Sequence, residues 1–512
     1  MSQYLITAPI LLPVMAAILC VLAYRTTMLQ RIIALTATSL MVITNGTLLL
    51  EIIPANGITM YIGNWAPPFG INIVADHLSG SLVFVAALVG FTSMLYSLRD
   101  IGEIEIGRGF YPIALLLLAG VNGAFLTGDL FNLYVWFEII LITSFGLMMM
   151  QRSKVVLEGA VKYVAINLIK TILFLVSVGM LYGITGTLNI ADLHFAVQDI
   201  FAYGDSGALH VIAMMLFLAF GIKAGIFPLY FWLPASYHLP SSTIGALFAA
   251  LLTKVGVYAM LRIFTIVLPA DQLEMLGFIS IIAIATMLVA IMGAIAENHI
   301  RRILSFCLLS HIGSMLIGLA VFSVESFEGM VFYMIHHILV MACLFLATGY
   351  LARLAGSPYL SDMGGLSKRA PYAVWLFFIP AIALAGMPPL SGFWGKFLLT
   401  KATFETEHYA LAASLLITGL LTLYAMLRIW HAAVWRNAPV SNADAQHETT
   451  AQFGISAAHS PSKCLLLPVA ILIVPIIYLG INPDWLMSIA RIAAYNSVDP
   501  TNYVKLVLGG GS

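Results

Sequence analysis

The 512-residue chain is 61% hydrophobic and only 9% charged, its mean hydropathy is +1.00, and its 23 Lys and Arg balance 23 Asp and Glu. This composition excludes a water-soluble globular protein and describes a polytopic membrane protein. A zero net charge without a polybasic run gives no reason to expect nucleic acid as a partner, and the sequence contains no GxGxxG, P-loop or HExxH motif. Cys20, Cys307, Cys343 and Cys464 all fall in apolar segments without CxxC spacing, so they read as small core residues.

Apolar runs of roughly 20 residues, the length that a ~30 Å hydrocarbon core demands, recur along the whole chain. About 14 such runs are marked, near 4–24, 30–51, 77–98, 109–127, 129–150, 160–183, 209–234, 241–264, 274–296, 301–322, 327–352, 371–399, 408–435 and 465–490. The first has no positively charged segment before it and reads as an uncleaved span rather than a signal peptide. Basic residues concentrate in the odd-numbered loops: Arg25 and Arg31, Arg99 and Arg108, Arg152, Lys154 and Lys162, Arg301 and Arg302, Arg353, Lys368 and Arg369, then Arg428, Arg436 and Lys463. Even-numbered loops hold only Arg262 and Lys401 and carry acids instead. Because cytoplasmic loops carry the Lys/Arg excess, both termini are expected on the non-cytoplasmic side, with 437–463 a cytoplasmic loop and an exposed tail ending in GGGS. The tryptophans Trp65, Trp232, Trp375, Trp394, Trp430, Trp435 and Trp485 mostly flank spans and read as interfacial anchors.

Two spans are interrupted. Around Lys223 stand Gly221, Gly225, Pro228 and Pro234, and ahead of Lys396 stand Gly386, Pro388, Pro389, Gly392 and Gly395. Proline removes a backbone donor and clashes with the preceding turn, so both segments are expected to be broken helices. A lysine at mid-depth costs at least ~2.5 kcal/mol and is kept where a partner, water or a transported ion compensates it. Paired broken helices in corresponding parts of a chain point to an inverted-repeat transporter with its sites at the repeat interface. The predicted repeats cover 109–264 (spans 4–8) and 265–436 (spans 9–13), preceded by three helices in 1–108 and followed by a loop, a last span and a tail in 437–512. The fold class is thus all-α, with two inverted five-helix repeats.

The remaining deep charges suggest a proton path. Glu138 lies mid-span in GDLFNLYVWFEIILITSFGLMMM, while Asp129, nine residues earlier, lies near a surface. A lysine whose proton depends on a nearby glutamate is a switchable site, and Glu138 is expected to face Lys223; the alternative is a static buried ion pair. Lys254 either relays protons laterally or binds carbonyls freed by a break. Lys170 has no breaker beside it and can snorkel, so a structural role stands beside a functional one. His336 and His337 suit a proton relay, with at most one expected to face the path because adjacent helical residues point about 100° apart. His311 is a further candidate. No catalytic residue, metal site or cofactor is read from the sequence.

With these residues in hand, the chain resembles the antiporter-like membrane subunits shared by respiratory complex I and its relatives, above all the D-type subunits of Mrp multisubunit Na+/H+ antiporters. TGDLFNLYVWFEIILITSFGLM, YGITGTLNIADL, FGIKAGIFPLYFWLPASYHLP, LLTKVGVYAMLR and GMPPLSGFWGKF carry the resemblance. It implies a 14-helix fold with two inverted five-helix repeats in a bacterial cell membrane, and partner membrane subunits, with protons and Na+ as the transported ions. It also implies that Glu138, Lys223, Lys254 and Lys396 match the family's functional glutamate and lysines. One departure stands out: where many relatives have a lysine in the eleventh span, this chain reads HHILVMACLFLATG, with Met341 in that place. The rival readings are a proton-pumping component of a complex I-like oxidoreductase or membrane hydrogenase, and a structural scaffold.

Overall fold

In hydrocarbon a backbone satisfies its N–H and C=O groups within its own segment only as a helix, and the apolar runs do fold that way. The computed structural model describes residues 2–151, 153–204, 206–437 and 462–509. Among these, eleven helices are long and apolar enough to cross a membrane. They are Thr27–Ala55, His77–Asp100, Leu130–Met148, Lys154–Thr185, Gly207–Ala224, Ser242–Val267, Leu276–Ala296, Ile300–Val321, Val324–Ala355, Tyr409–Trp435 and Lys463–Ile481. Ala8–Leu22, Phe110–Leu126 and Pro371–Ala385 are shorter apolar helices. Arg152, Asp205, most of the proposed cytoplasmic loop and the last three residues of the GGGS tail lie outside the described residues.

Burial divides these helices into a hub and a rim. Every residue of the most apolar stretch in Ser242–Val267 and in Val324–Ala355 is buried, against 39% in Thr27–Ala55, Lys154–Thr185 and Leu276–Ala296. A helix apolar all round belongs inside a bundle, whereas rim helices keep an apolar face toward lipid or another membrane protein. Val324–Ala355 packs against Ile300–Val321, Pro371–Ala385, Ser391–Glu405, Lys463–Ile481, Asp484–Val498 and the first half of Ser242–Val267. His336 and His337 therefore sit on an enclosed helix at the centre of the hub.

Four expectations are corrected. Cys464 is exposed rather than part of the core, because the last span begins with a short turn at Lys463–Leu465. The end of the chain is not an exposed tail throughout: past Pro483 come helices Asp484–Val498 and Thr501–Leu508, which bury Leu486, Ala490, Tyr503 and Val507 against the bundle. Trp232 is buried, its indole N–H donating to the Ile222 carbonyl at 3.2 Å, and Trp394 donates to the Gly480 carbonyl at 2.8 Å, so neither is simply an interfacial anchor. Arg262 is not a loop residue but lies inside Ser242–Val267, in an ion pair with Asp76 at 2.6 Å. A short antiparallel hairpin, Ile58–Tyr61 with Asn72–Ala75, also escaped the sequence reading.

Candidate functional site

The first broken helix ends at Ala224, where Gly225 takes φ +84°, a conformation that a Cβ would strain. Both Gly225 and Ile226 donate to the Gly221 carbonyl, at 2.8 and 3.0 Å, and the Phe227 amide donates to Thr286 Oγ1 at 3.0 Å. The break is thus satisfied partly by its own turn and partly by the neighbouring helix Leu276–Ala296. Lys223 occupies the last turn before it, where helix dipoles favour a cation. Its Nζ is buried and makes no hydrogen bond to the described residues.

Glu138 does not pair directly with Lys223 as the sequence reading expected. Its Oε1 accepts from Lys170 Nζ at 3.1 Å and from the Thr171 hydroxyl at 2.7 Å. Lys170 is fully buried, so snorkelling is overturned; its stem points across to Leu130–Met148 rather than along its own helix. Lys223 stands behind this pair. The Lys170 and Lys223 ammoniums lie 5.4 and 6.0 Å from the centroid of one ring, Phe137, which itself packs edge-on against Phe174 and Phe220. A ring face attracts both cations weakly, and the Lys223 charge feels Lys170 as repulsion and Glu138 as attraction. Asp129 lies apart: it is the N-cap of Leu130–Met148, its carboxylate accepting from the Asn132 amide at 2.7 Å, which is a helix-starting role.

Lys254 sits at the centre of Ser242–Val267, just past a π-helical segment at Phe248–Leu252. Such a turn leaves carbonyls without their usual donors, and Lys254 Nζ donates to one of them, Ala249, at 2.6 Å. Among the described residues no acid forms an ion pair with it. Gly256 brings this helix against the first break, since a Cβ there would fall 2.8 Å from the Ala224 nitrogen.

Between Lys254 and the second break lies a cluster of four rings. His337 lies tilted against His311 with centroids 5.4 Å apart, Tyr333 lies 5.5 Å from His336 and 6.2 Å from His337, and His311 Nδ1 bonds the Tyr333 hydroxyl. His336 Nδ1 bonds Ser391 Oγ at 2.8 Å, at the start of the helix Ser391–Glu405 that carries Lys396. Both histidines join one cluster, because Tyr333 lies against each of their rings. His311, the weaker candidate by sequence, belongs to it through Tyr333 and His337, and both ring nitrogens of His337 are buried without a partner among the described residues. Met341 is buried in the same helix and offers no proton-binding atom.

The second break runs from Ala385 to Ser391, with Gly386 at φ +89°. Here the lysine follows the interruption. Lys396 Nζ reaches back to the last carbonyls of Pro371–Ala385, donating to those of Leu384 at 3.2 Å and Ala385 at 2.9 Å. The helix that carries His337 packs both against the π-helical segment Phe248–Leu252 beside Lys254 and against Ser391–Glu405, which carries Lys396.

From Glu138 to Lys396 the bundle thus holds a carboxylate with its ammonium, an ammonium unbonded among the described residues, an ammonium on a freed carbonyl, imidazoles around a phenol, and an ammonium on two freed carbonyls. Residues 127–422, which contain all of them, match the family described as "NADH:quinone oxidoreductase/Mrp antiporter, TM". The chain belongs to that family. Among its curated relatives, the D-type subunit of the Na(+)/H(+) antiporter of Bacillus subtilis is 38% identical over 503 residues, 98% of each chain. The relative of the same name from Alkalihalophilus pseudofirmus is 41% identical over 506 residues, 98% of this chain and 99% of its own. Among solved structures of the oxidoreductase/antiporter fold, a chain of the Mrp complex from Dietzia sp. DQ12-45-1b superposes with a TM-score of 0.88 at 30% identity, over 99% of both chains. A chain of an archaeal membrane-bound sulfane sulfur reductase superposes with a TM-score of 0.89 at 25% identity, over 99% of this chain and 100% of its own.

Sequence reasoning missed three further charged side chains of this family member. Asp100 accepts from the Thr243 amide and hydroxyl at 2.8 and 2.7 Å and pairs with Arg353, tying one end of Ser242–Val267 to Val324–Ala355. Glu328 pairs with Arg491 at 3.1 Å, holding Asp484–Val498 to the hub helix. Asp76 holds Arg262. Each partner lies far away in sequence, and each acid is at or beyond a span boundary, where a carboxylate attracts no notice.

Proposed function

We propose that the chain is the proton-translocating, D-type subunit of a multisubunit Na+/H+ antiporter, moving external protons inward in exchange for cytoplasmic Na+. The observation that carries this reading is the set of titratable groups held within the bundle, Glu138, Lys170, Lys223, Lys254, His311, His337, His336 and Lys396, which includes a lysine at each of the two broken helices. Holding so many ionisable groups at membrane depth is costly unless their charge does work during a cycle. Protons enter at one broken helix and leave at the other; Lys223 loses and regains its proton as the Glu138–Lys170 pair opens and closes, and the imidazoles replace the lysine that Met341 displaces. The two breaks occupy corresponding places in five-helix repeats over 109–264 and 265–436. Both termini face away from the cytoplasm of a bacterial cell, and the half-exposed apolar rim meets other membrane subunits of the complex.

A complex I-like or hydrogenase pump would use the same core. Identity to the two antiporter relatives over nearly the entire chain favours exchange over redox drive. The test is Na+-driven proton movement in vesicles carrying the purified complex, without quinone or reductant. Exchange is expected; movement only when a redox donor and acceptor are supplied would transfer the chain to the pump reading.

A further inference from the structure

Ser242–Val267 carries one more buried polar file beyond the proposed relay. Lys254, Tyr258 and Arg262 are spaced four residues apart in an uninterrupted α-helical stretch and so share one face. At the far end the Arg262 guanidinium is 5% exposed, pairs with Asp76 at 2.6 Å, donates through Nε to the Tyr258 hydroxyl at 3.2 Å, and lies 5.0 Å from the Tyr503 ring centroid. Asp76 is itself held in place, also accepting from the Ser79 amide at 2.9 Å and hydroxyl at 2.8 Å. Tyr258 donates its own proton to the Phe125 carbonyl at 2.7 Å.

This file is a poor wire. Arginine stays protonated in proteins and cannot pass a proton on, the tyrosine proton is committed to a backbone carbonyl, and a fixed cation repels a second one approaching along the same face. An arginine placed across a path is a general physical means of excluding protons and cations.

We propose that Arg262, held by Asp76, Tyr258 and Tyr503, is an electrostatic plug that closes the end of this helix beyond Lys254, so that a proton on Lys254 leaves only sideways through the imidazole cluster. Tyr258 and Asp76 are positioning residues for the plug, and Tyr503 brings the helix Thr501–Leu508 into it. The proposal rests on Lys254 carrying protons, as in the function proposed above.

The measurement is passive proton permeability of vesicles holding the assembled complex, under an imposed pH gradient with the membrane potential clamped and no Na+ present. Eight residues of helix rise separate Lys254 and Arg262 by about 12 Å, a distance at which one unit charge changes the occupancy of another by about tenfold at an effective dielectric constant near 20. Arg262→Gln is therefore expected to raise proton leak by about tenfold or more, and Lys254→Met/Arg262→Gln to return it to the wild-type level. If Arg262→Gln leaves Asp76 unpaired and prevents assembly, Asp76→Asn/Arg262→Met removes both charges of the 2.6 Å pair and is expected to leak above wild type but less than Arg262→Gln, because the fields of two opposite charges so close together largely cancel at Lys254. Variant vesicles as tight as wild type would overturn the plug, and so would a leak that persists without Lys254. Wild-type vesicles without Na+-driven exchange would instead sink the antiporter reading, because the leak assay does not use Na+.

Discussion

The two broken helices solve the same problem in opposite ways. In the first, the lysine comes before the break and the freed groups are satisfied by other partners: Gly225 and Ile226 close the turn, Trp232 takes the Ile222 carbonyl, and Lys223 is left without a hydrogen bond from the described residues. In the second, the lysine comes after the break and Lys396 itself takes the freed carbonyls of Leu384 and Ala385. A buried ammonium without bonds is held only by distant charges, so its proton responds to any change in them, whereas one resting on two carbonyl dipoles is steadier. On the proposed cycle, the difference makes Lys223 the switch and Lys396 the terminus. On that cycle Glu138 would operate the switch by leaving Lys170, the partner it holds at 3.1 Å.

Breaking the first region has the largest expected effect. Glu138→Ala should abolish Na+-dependent proton flux while the complex still assembles, because it removes the carboxylate that acts on both Lys170 and Lys223 rather than packing volume; Glu138→Asp should keep partial activity. Wild-type flux in assembled Glu138→Ala vesicles would show that the pair is structural.

The second region is probed by Lys396→Arg, which preserves the positive charge but cannot give up a proton. A drop in exchange of about tenfold or more is expected without loss of assembly. Normal exchange would make Lys396 a fixed charge.

Between the regions, His337→Ala should lose most activity, His336→Ala less, and Met341→Lys added to His337→Ala should restore part of it, since position 341 lies one turn away on the same face. His311, which the fold places against His337, should behave like His337. Flux from His337→Asn is the discriminating readout: near-normal rates at several pH values would mean that the imidazole only donates a hydrogen bond and that water carries the crossing.

The smallest effect expected is from Thr171→Val. It removes the 2.7 Å hydrogen bond to Glu138 and leaves the ion pair. A hydrogen bond to a charged group is worth roughly 1.5–3 kcal/mol, so a slower but still Na+-coupled exchange should result, measured against wild type at matched assembly. An unchanged rate would mean that Lys170 alone orients the carboxylate.

Local pattern made much of this legible. Apolar length located the membrane helices, and Gly and Pro beside a lysine located both breaks to within a few residues. What stayed hidden depended on contacts between distant segments. Nothing within AINLIKTILFLV says that Lys170 turns toward Glu138, and a lone lysine eight residues from Lys162 has the pattern of a snorkelling one. Arg262 read as a loop charge because it stands near the end of an apolar run, and only Asp76, from another helix end, makes its burial tolerable. The π-helical turn that gives Lys254 its carbonyl has no signature in LFAALLTKVG. Tyr333, which joins the histidines into one cluster, looked like any aromatic core residue.

The central claim, that an unbonded Lys223 is the proton-holding switch, is tested most directly by Lys223→Met, which fills a similar volume without a titratable group. In vesicles containing the complex at wild-type assembly, a Na+ gradient should produce no pH change above that of empty vesicles across the working pH range. Na+-driven acidification or alkalinisation at the wild-type rate in those vesicles would contradict it.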